Sequence, residues 1–344
     1  MAERMRNGRA AQGHRGSGGG AEVLTSRDNR WLKEFRVALR GGVPTAQGAV
    51  GVEGVRLVEE ALASGCRIEA VLFSESGERH CDRLAPMIGR KEMAFPVLRT
   101  TDRLFEGIAD TEHPQGVAAL VVPKTFALEE VLEGPRSAQG DWGEEEAERR
   151  GAEGTEKKRA GMKANATFGA SPGVAPLVVV LAGVQDPGNV GTILRTAAAF
   201  GATGVVTAAT GQSGTASPYA PKAMRASAGA ALHLPIVGGM GLGILLTQLK
   251  VRGIRSLASC VAEAEGALVP WKVDWRQPVA LLVGNEGAGL PEDVVAGADA
   301  RVHIPMASLR GAGLAQVESL NAAAAAAVVL YEAFRQRKKA VASE

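Results

Sequence analysis

The chain has 344 residues, enough for about two domains, and 39 Lys+Arg against 37 Asp+Glu leave a formal net charge of only +2, which excludes a globally basic nucleic-acid coat but not a local basic patch. Hydrophobic residues make up 46%, so cores can form, yet the longest apolar run, the ten residues from Ala322 to Tyr331, is about half of a bilayer span. No signal h-region occurs in residues 1–20, and three scattered cysteines (Cys66, Cys81, Cys260) form neither a disulfide framework nor a metal-ligand spacing, so a soluble, cytoplasmic, metal-free protein with no membrane contact is expected.

Residues 1–22 hold six glycines and four arginines and nothing apolar and periodic, the composition of a disordered, mildly basic tail. From Leu24 the texture changes. Trp31, Leu32, Phe35 and Leu39 recur at helical spacing, interleaved with Arg27, Arg30, Lys33, Arg36 and Arg40. This predicts a helix with one apolar and one basic face, and a solvated helix surface explains the basic face as readily as a function does. Val55 to Ala63 suits a second helix, Ile68 to Phe73 a strand, and Val117 to Val122 another strand after the Gly116 turn. The first domain therefore covers residues 23–132, and it shows no cluster of acid, base and nucleophile.

Residues 133–175 differ again. Between Glu129 and Pro172 there are ten acidic residues, seven basic residues and seven glycines, with almost no aliphatics. A charged flexible linker is expected there, too long for an ordinary loop.

The second domain, residues 176–337, opens with the all-apolar run Pro176 to Val184, typical of a buried parallel strand. Helices are expected over 190–200, 222–232, 243–250 and 318–337. Strands are expected over 204–208, 234–237, 254–261, 279–283 and 301–304. The alternation implies an α/β fold, a parallel sheet with helices on both faces.

Three segments follow predicted strands, where open α/β sheets bind their ligands. In Gln185-Asp-Pro-Gly-Asn-Val-Gly-Thr-Ile-Leu-Arg195, Pro187 and Gly188 make a turn, Asn189 suits a helix N-cap, Gly191 allows close approach, and Arg195 is placed to serve the same cleft. In Val283-Gly-Asn-Glu-Gly-Ala-Gly-Leu290, glycines flank Glu286, and backbone N–H groups of such a turn can hold a polar ligand edge. Val302-His-Ile-Pro-Met306 is followed by Glu318-Ser-Leu-Asn321 and six alanines, the pattern of a capped helix against which another backbone packs closely. Each segment alone is equally a capped helix or a glycine turn.

Together they resemble the SpoU (TrmH) family of RNA ribose 2′-O-methyltransferases, in the SPOUT superfamily. The likeness rests on Asn189 to Gly201, Gly284 to Leu290, Ile304-Pro-Met306 and Glu318 to Asn321, with Arg225-Ala-Ser-Ala-Gly229 as a weaker match. Less specifically, Gly51 to Glu59 and Gln115 to Ala119 are similar to the ribosomal-protein-like α/β domain that binds substrate in many members. The resemblance implies a C-terminal α/β trefoil knot, a homodimer and S-adenosylmethionine as methyl donor. It implies an RNA substrate, with ribosomal RNA favoured over transfer RNA. It also implies that Val283, Gly284, Ile304, Met306 and Leu320 cradle the donor, while Asn189, Arg195, Glu286, Ser319 and Asn321 stand at catalytic and substrate-facing positions. A guanidinium has no lone pair to act as a base, so Arg195 is read as a clamp on the ribose and its phosphate. Asn189 and Ser319 then orient the hydroxyl, and Glu286 either pairs with Arg195 or fixes its own loop. One departure stands out: eleven residues, Ala307 to Val317, separate Ile-Pro-Met from Ser-Leu-Asn where the family usually has a few.

Two rival readings remain at this level. A nucleotide-dependent oxidoreductase lacks a complete glycine fingerprint here and an acid after the second strand. A non-catalytic RNA-binding protein of the same fold would not need Asn189, Arg195 and the Ser319–Asn321 pair.

Overall fold

A computed structural model of the chain describes residues 22–89, 95–133, 175–209, 214–260, 266–306 and 319–341. The basic tail up to residue 21, linker residues 134–174, and the insert 307–317 with Glu318 lie outside the described residues.

The first sheet begins with β1 (Glu22–Leu24) and continues through α1 (Arg30–Leu39), β2 (Val50–Glu53), α2 (Val55–Ala63), β3 (Arg67–Ser74), α3 (Cys81–Ile88), β4 (Val97–Thr100), α4 (Asp102–Glu106) and β5 (Val117–Val122). Its strand order is β1-β4-β3-β5-β2; the first two pairings are parallel and the last two antiparallel. Helix α1 starts where Asn29 accepts the Trp31 N–H at 2.9 Å. It buries Leu32, Phe35, Ala38 and Leu39, the apolar face its spacing predicts. Strand β2 carried too short a pattern to be read from sequence. It exists because Gly51 lets α1 lie on it: a Cβ there would meet the Leu39 nitrogen at 2.9 Å.

After α5 (Leu128–Glu133) comes the second sheet: β6 (Leu177–Ala182), α6 (Pro187–Ala199), β7 (Gly204–Ala209), α7 (Pro221–Ser227), β8 (Ile236–Gly241), α8 (Leu242–Val251), β9 (Arg255–Cys260), β10 (Val279–Val283), α9 (Glu292–Gly297), β11 (Ala300–His303) and α10 (Ala322–Val341). The order is β11-β9-β10-β6-β7-β8, and every pairing is parallel. The apolar run of β6 is explained by burial on both faces: Leu177, Val179 and Leu181 enter one core, Val178, Val180 and Ala182 the other. The order in which strands are added reverses between β6, which leads to β7 on one side, and β10, which leads to β11 on the other. This is the switch point where such sheets form a ligand crevice. The expected knot runs through the C-terminal segment that includes residues 307–318, outside the described residues.

Three boundaries differ from expectation. Helix α5, read as the end of the first domain, packs Val131 and Leu132 into the core of the second sheet with Val178 and Leu245, and its Glu129 pairs with Arg252 at 3.2 Å. The helix expected over 222–232 breaks at Ala228 and Gly229, whose φ angles are 50° and 88°. Glycine is needed there because a Cβ would lie 2.7 Å from Glu60 Cβ of α2, where the first domain presses in. The last helix starts at Ala322, because Asn321 accepts the Ala323 N–H at 2.8 Å and so caps it. The two sheets share one continuous core, bridged at the surface by Arg225 with Asp110 at 2.5 Å and by His233 with Glu60 at 3.1 Å.

Candidate active site

The crevice is built from three chain segments that meet at the carboxyl ends of β6 and β10. The first is the start of α6. Asp186 accepts the Asn189 N–H at 2.9 Å and Pro187 fills the first helical position, so Asp186 is the N-cap rather than Asn189. The Asp-Pro pair was the readable signal for this. Lys222 of α7 donates to the other Asp186 oxygen at 2.7 Å, and that bond, followed by the Asn189 amide, holds the Asp186 carboxyl below the usual carboxylate range. Gly191 gives α6 its close approach to α7: a Cβ would lie 2.3 Å from the Ala223 carbonyl oxygen.

The second segment is the loop after β10. Asn285 and Gly289 exchange backbone hydrogen bonds, each 3.0 Å. The Asn285 side chain accepts the Gly287 and Ala288 amides at 2.9 Å and donates to the Gly183 carbonyl at 2.9 Å. Sequence reasoning assigned Asn285 no role; here it locks the loop and ties it to β6. Glu286 then reaches across to α6. Its two oxygens accept the Gln185 and Asp186 amides at 3.1 Å, and one also accepts the Asn189 side-chain amide at 2.9 Å. Partial burial alone would raise the Glu286 carboxyl. The hydrogen bond from Asn189 and those from the two backbone amides outweigh it and leave the carboxyl below its ordinary value. Of the two roles open to Glu286, the geometry shows the fixing of loops; it has no ion pair with Arg195 among the described residues.

The third segment precedes α10. Asn321 donates from its side chain to Asn189 Oδ1 at 3.0 Å, so Asn321, Asn189 and Glu286 form one chain of side-chain hydrogen bonds. Beside them lies a pocket with apolar walls from Leu281, Val283, Val302, Ile304 and Val329, and Gly284 in its floor. Met306, Ser319 and Leu320 stand at its exposed side, and Glu286 at its polar side. Gly284 is packed against backbone, since a Cβ would sit 2.4 Å from the Gly289 carbonyl carbon and 2.5 Å from the Leu290 nitrogen.

Nine of the ten expected site residues therefore fall in the pocket or in the hydrogen-bond chain at its edge. Arg195 does neither. It is exposed on α6, and among the described residues it makes no hydrogen bond or ion pair. Six residues are about one and two-thirds helical turns, so Arg195 and Asn189 leave α6 on different sides. The arrangement offers a concave apolar site with backbone polar groups and an ionised carboxylate at one edge. It suits a ligand with a flat apolar part and a positively charged part.

Residues 176–331 match the SpoU rRNA methylase family, and residues 45–119 match the MRM3-like substrate binding domain. An uncharacterized tRNA/rRNA methyltransferase of Synechocystis sp. is 30% identical over 91% of this chain and 94% of its own length. The 23S rRNA guanosine 2′-O-methyltransferase RlmP of Bacillus subtilis is 25% identical over 90% of this chain and 97% of its own. Among solved structures, the SpoU methyltransferase AviRb of Streptomyces viridochromogenes, in complex with the cofactor AdoMet, superimposes with a TM-score of 0.64 at 25% identity, covering 90% of this chain and 98% of that one. With the motifs, the parallel sheet and the pocket in agreement across both domains, this chain belongs to the SpoU rRNA methylase family.

Proposed function

We propose that this protein transfers a methyl group from S-adenosylmethionine to a ribose 2′-hydroxyl of RNA, with ribosomal RNA as the favoured substrate. The observation that carries the reading is the pocket at the β10 end, edged by the Asn321–Asn189–Glu286 chain. Its residues fit the donor. Gly284 leaves no side chain between ligand and backbone, Val283, Ile304, Met306 and Leu320 supply apolar surface for an adenosine, and the Glu286 carboxylate suits a sulfonium cation. When bound, the donor supplies an electrophilic methyl group.

The chain's own residues align the nucleophile and handle its charge. Asn189 has both ends of its amide engaged, so it positions Glu286 and Asn321 rather than reaching for substrate. The Ser319 hydroxyl has no partner among the described residues and lies at the pocket's exposed side, where it can orient the ribose hydroxyl. Arg195, without a partner among the described residues, clamps the ribose and its phosphate with its guanidinium fork and stabilises the alkoxide as it develops. Ribosomal RNA is favoured because RlmP, similar over nearly its whole length, is named for 23S rRNA.

The same reading includes a homodimer. Val328 and Tyr331 of α10 are 46% and 53% exposed beside Ala324, and Tyr331 meets Phe200, the C-cap of α6, edge to face with ring centroids 5.6 Å apart. An apolar stripe of this kind suits a second copy, which light scattering of the purified protein would reveal.

The decisive experiment maps ribose methylation in RNA from cells with and without the protein, alongside calorimetry with S-adenosylmethionine and NAD. One donor molecule bound per chain and one ribose methylation lost support the reading. NAD binding without S-adenosylmethionine binding overturns it.

A further inference from the structure

The active site leaves one charged feature of the first domain unused. Helix α1 buries Leu32, Phe35, Ala38 and Leu39, so its opposite side faces solvent. Arg30, Lys33, Arg36 and Arg40 recur on that side at three- and four-residue steps, the spacing that aligns side chains along one helix face. Lys33 pairs with Asp28 at 3.2 Å, whereas Arg30, Arg36 and Arg40 have no ion-pair partner among the described residues. Arg30 lies instead over the Trp31 ring, 4.7 Å from its centroid. In a chain whose total charge nearly cancels, such a row concentrates positive potential on one ridge.

The ridge points toward the active site. Just past α1, Gly42 rests on α7: a Cβ there would lie 3.1 Å from the Pro221 ring. The next residue, Lys222, has a side chain 59% exposed and pairs with Asp186, the cap of the helix that carries Asn189. The carboxyl end of α1 is thus joined through Pro221 and Lys222 to the edge of the pocket.

We propose that Arg30, Lys33, Arg36 and Arg40, continued by Lys222, form a phosphate-binding ridge that seats the RNA backbone and leads the strand to the active site. The proposal rests on the reading of the protein as an RNA methyltransferase. Ten residues of helix span about 15 Å, long enough for consecutive phosphates of one strand rather than a single anion. Guanidinium forks bind phosphate bidentately. Trp31, packed against the core at the margin of the apolar face, is covered by Arg30, so among the described residues the ridge offers backbone contacts and no free stacking platform. It should therefore supply affinity and register, with little dependence on base sequence.

The test is the triple variant Arg30→Gln, Arg36→Gln, Arg40→Gln, read by fluorescence anisotropy with a fluorescein-labelled RNA stem-loop across a salt series. Affinity at low salt should fall on the order of tenfold or more, and the slope of log K against log salt should become shallower by about 2. The melting temperature and the calorimetric affinity for S-adenosylmethionine should not move, and methylation should decline through KM rather than kcat. If the triple variant melts abnormally, Arg40→Gln alone in the same salt series should still lower the slope by about 1. An unchanged slope and affinity overturn the ridge and leave the methyltransferase reading standing. Loss of binding to anionic phosphatidylglycerol vesicles with RNA binding intact also overturns it. A parent protein that neither binds the donor nor methylates RNA is a failure of the functional reading itself.

Discussion

The Asn189 side-chain amide donates to Glu286 at 2.9 Å across 97 positions of sequence, and its carbonyl end accepts from Asn321 at 3.0 Å. One asparagine thus ties the start of α6, the loop after β10 and the cap of α10 into a single unit. Gly284, Glu286 and Gly289 of the second segment and Ser319 and Leu320 of the third line the pocket, so their relative placement depends on the first.

Glu286→Gln tests that dependence. Glutamine keeps the length but turns one acceptor into a donor facing the amides of Gln185, Asp186 and Asn189. Donor affinity and methylation rate should both fall, and combining the change with Asn189→Ala should add little, because the two act through one bond. The pH dependence has a definite sign. The folded Glu286 carboxyl titrates below its ordinary value of 4.5, so its contribution is fully present above that value and is lost as pH falls through the folded pKa. Donor affinity measured below pH 4.5 should weaken in the parent and stay flatter in the glutamine variant.

Gly284→Ala and Gly287→Ala make a controlled pair in one loop. The first places a Cβ 2.4–2.6 Å from the Gly289 and Leu290 backbone, which cannot yield without reshaping the loop; the second meets only Asn285 Oδ1 at 3.7 Å. Gly284→Ala should cost about 1–3 kcal/mol and remove donor binding. Gly287→Ala should change stability by less than about 0.5 kcal/mol. Thermal melts and donor titration of both variants check this.

Much of this architecture was legible beforehand because the second sheet is regular. The apolar run of β6 and the glycines around Glu286 each have one dominant physical cause, burial on both faces and close backbone approach. What escaped was decided by contacts between distant segments. Nothing local marks β2, which depends on α1 lying over Gly51; Gly229 offers a local break after Ala228, but the α2 contact at Glu60 that requires it comes from a distant segment. The site divided in the same way. Pocket residues were readable from motif order and the divergence of Arg195 from Asn189 from helical periodicity, whereas the part played by Asn285 needed coordinates.

Arg337 should prove a structural anchor. From α10 its guanidinium donates to the Trp275, Pro176 and Gln277 carbonyls at 2.7, 3.1 and 3.1 Å, and to that of Ala175. The helix end is thereby pinned to the start of β6 and the turn before β10. Arg337→Met would leave these carbonyls without their donor and should cost about 2–3 kcal/mol. Arg337→Lys should recover only part, since a point charge cannot serve four acceptors spread over two segments. Denaturant melts of the three proteins give the measurement.

Arg195 and Leu320 should separate substrate handling from donor binding. Arg195 is exposed and lacks a partner among the described residues, so Arg195→Ala should leave stability within about 0.5 kcal/mol of the parent and leave S-adenosylmethionine affinity nearly unchanged. Loss of a charge contact made in the transition state costs on the order of 10²–10³ in rate, so methylation should all but vanish. Arg195→Lys should rescue little, because lysine lacks the planar fork that grips a phosphate. Leu320 is 40% exposed and lines the pocket, so Leu320→Arg should weaken donor binding itself. Calorimetry for the donor and single-turnover methylation at saturating donor distinguish the two effects. If Arg195→Ala lost donor binding and kept single-turnover chemistry, Arg195 would belong to the donor site and the clamp assignment would be wrong, while the family membership, which rests on other residues, would stand.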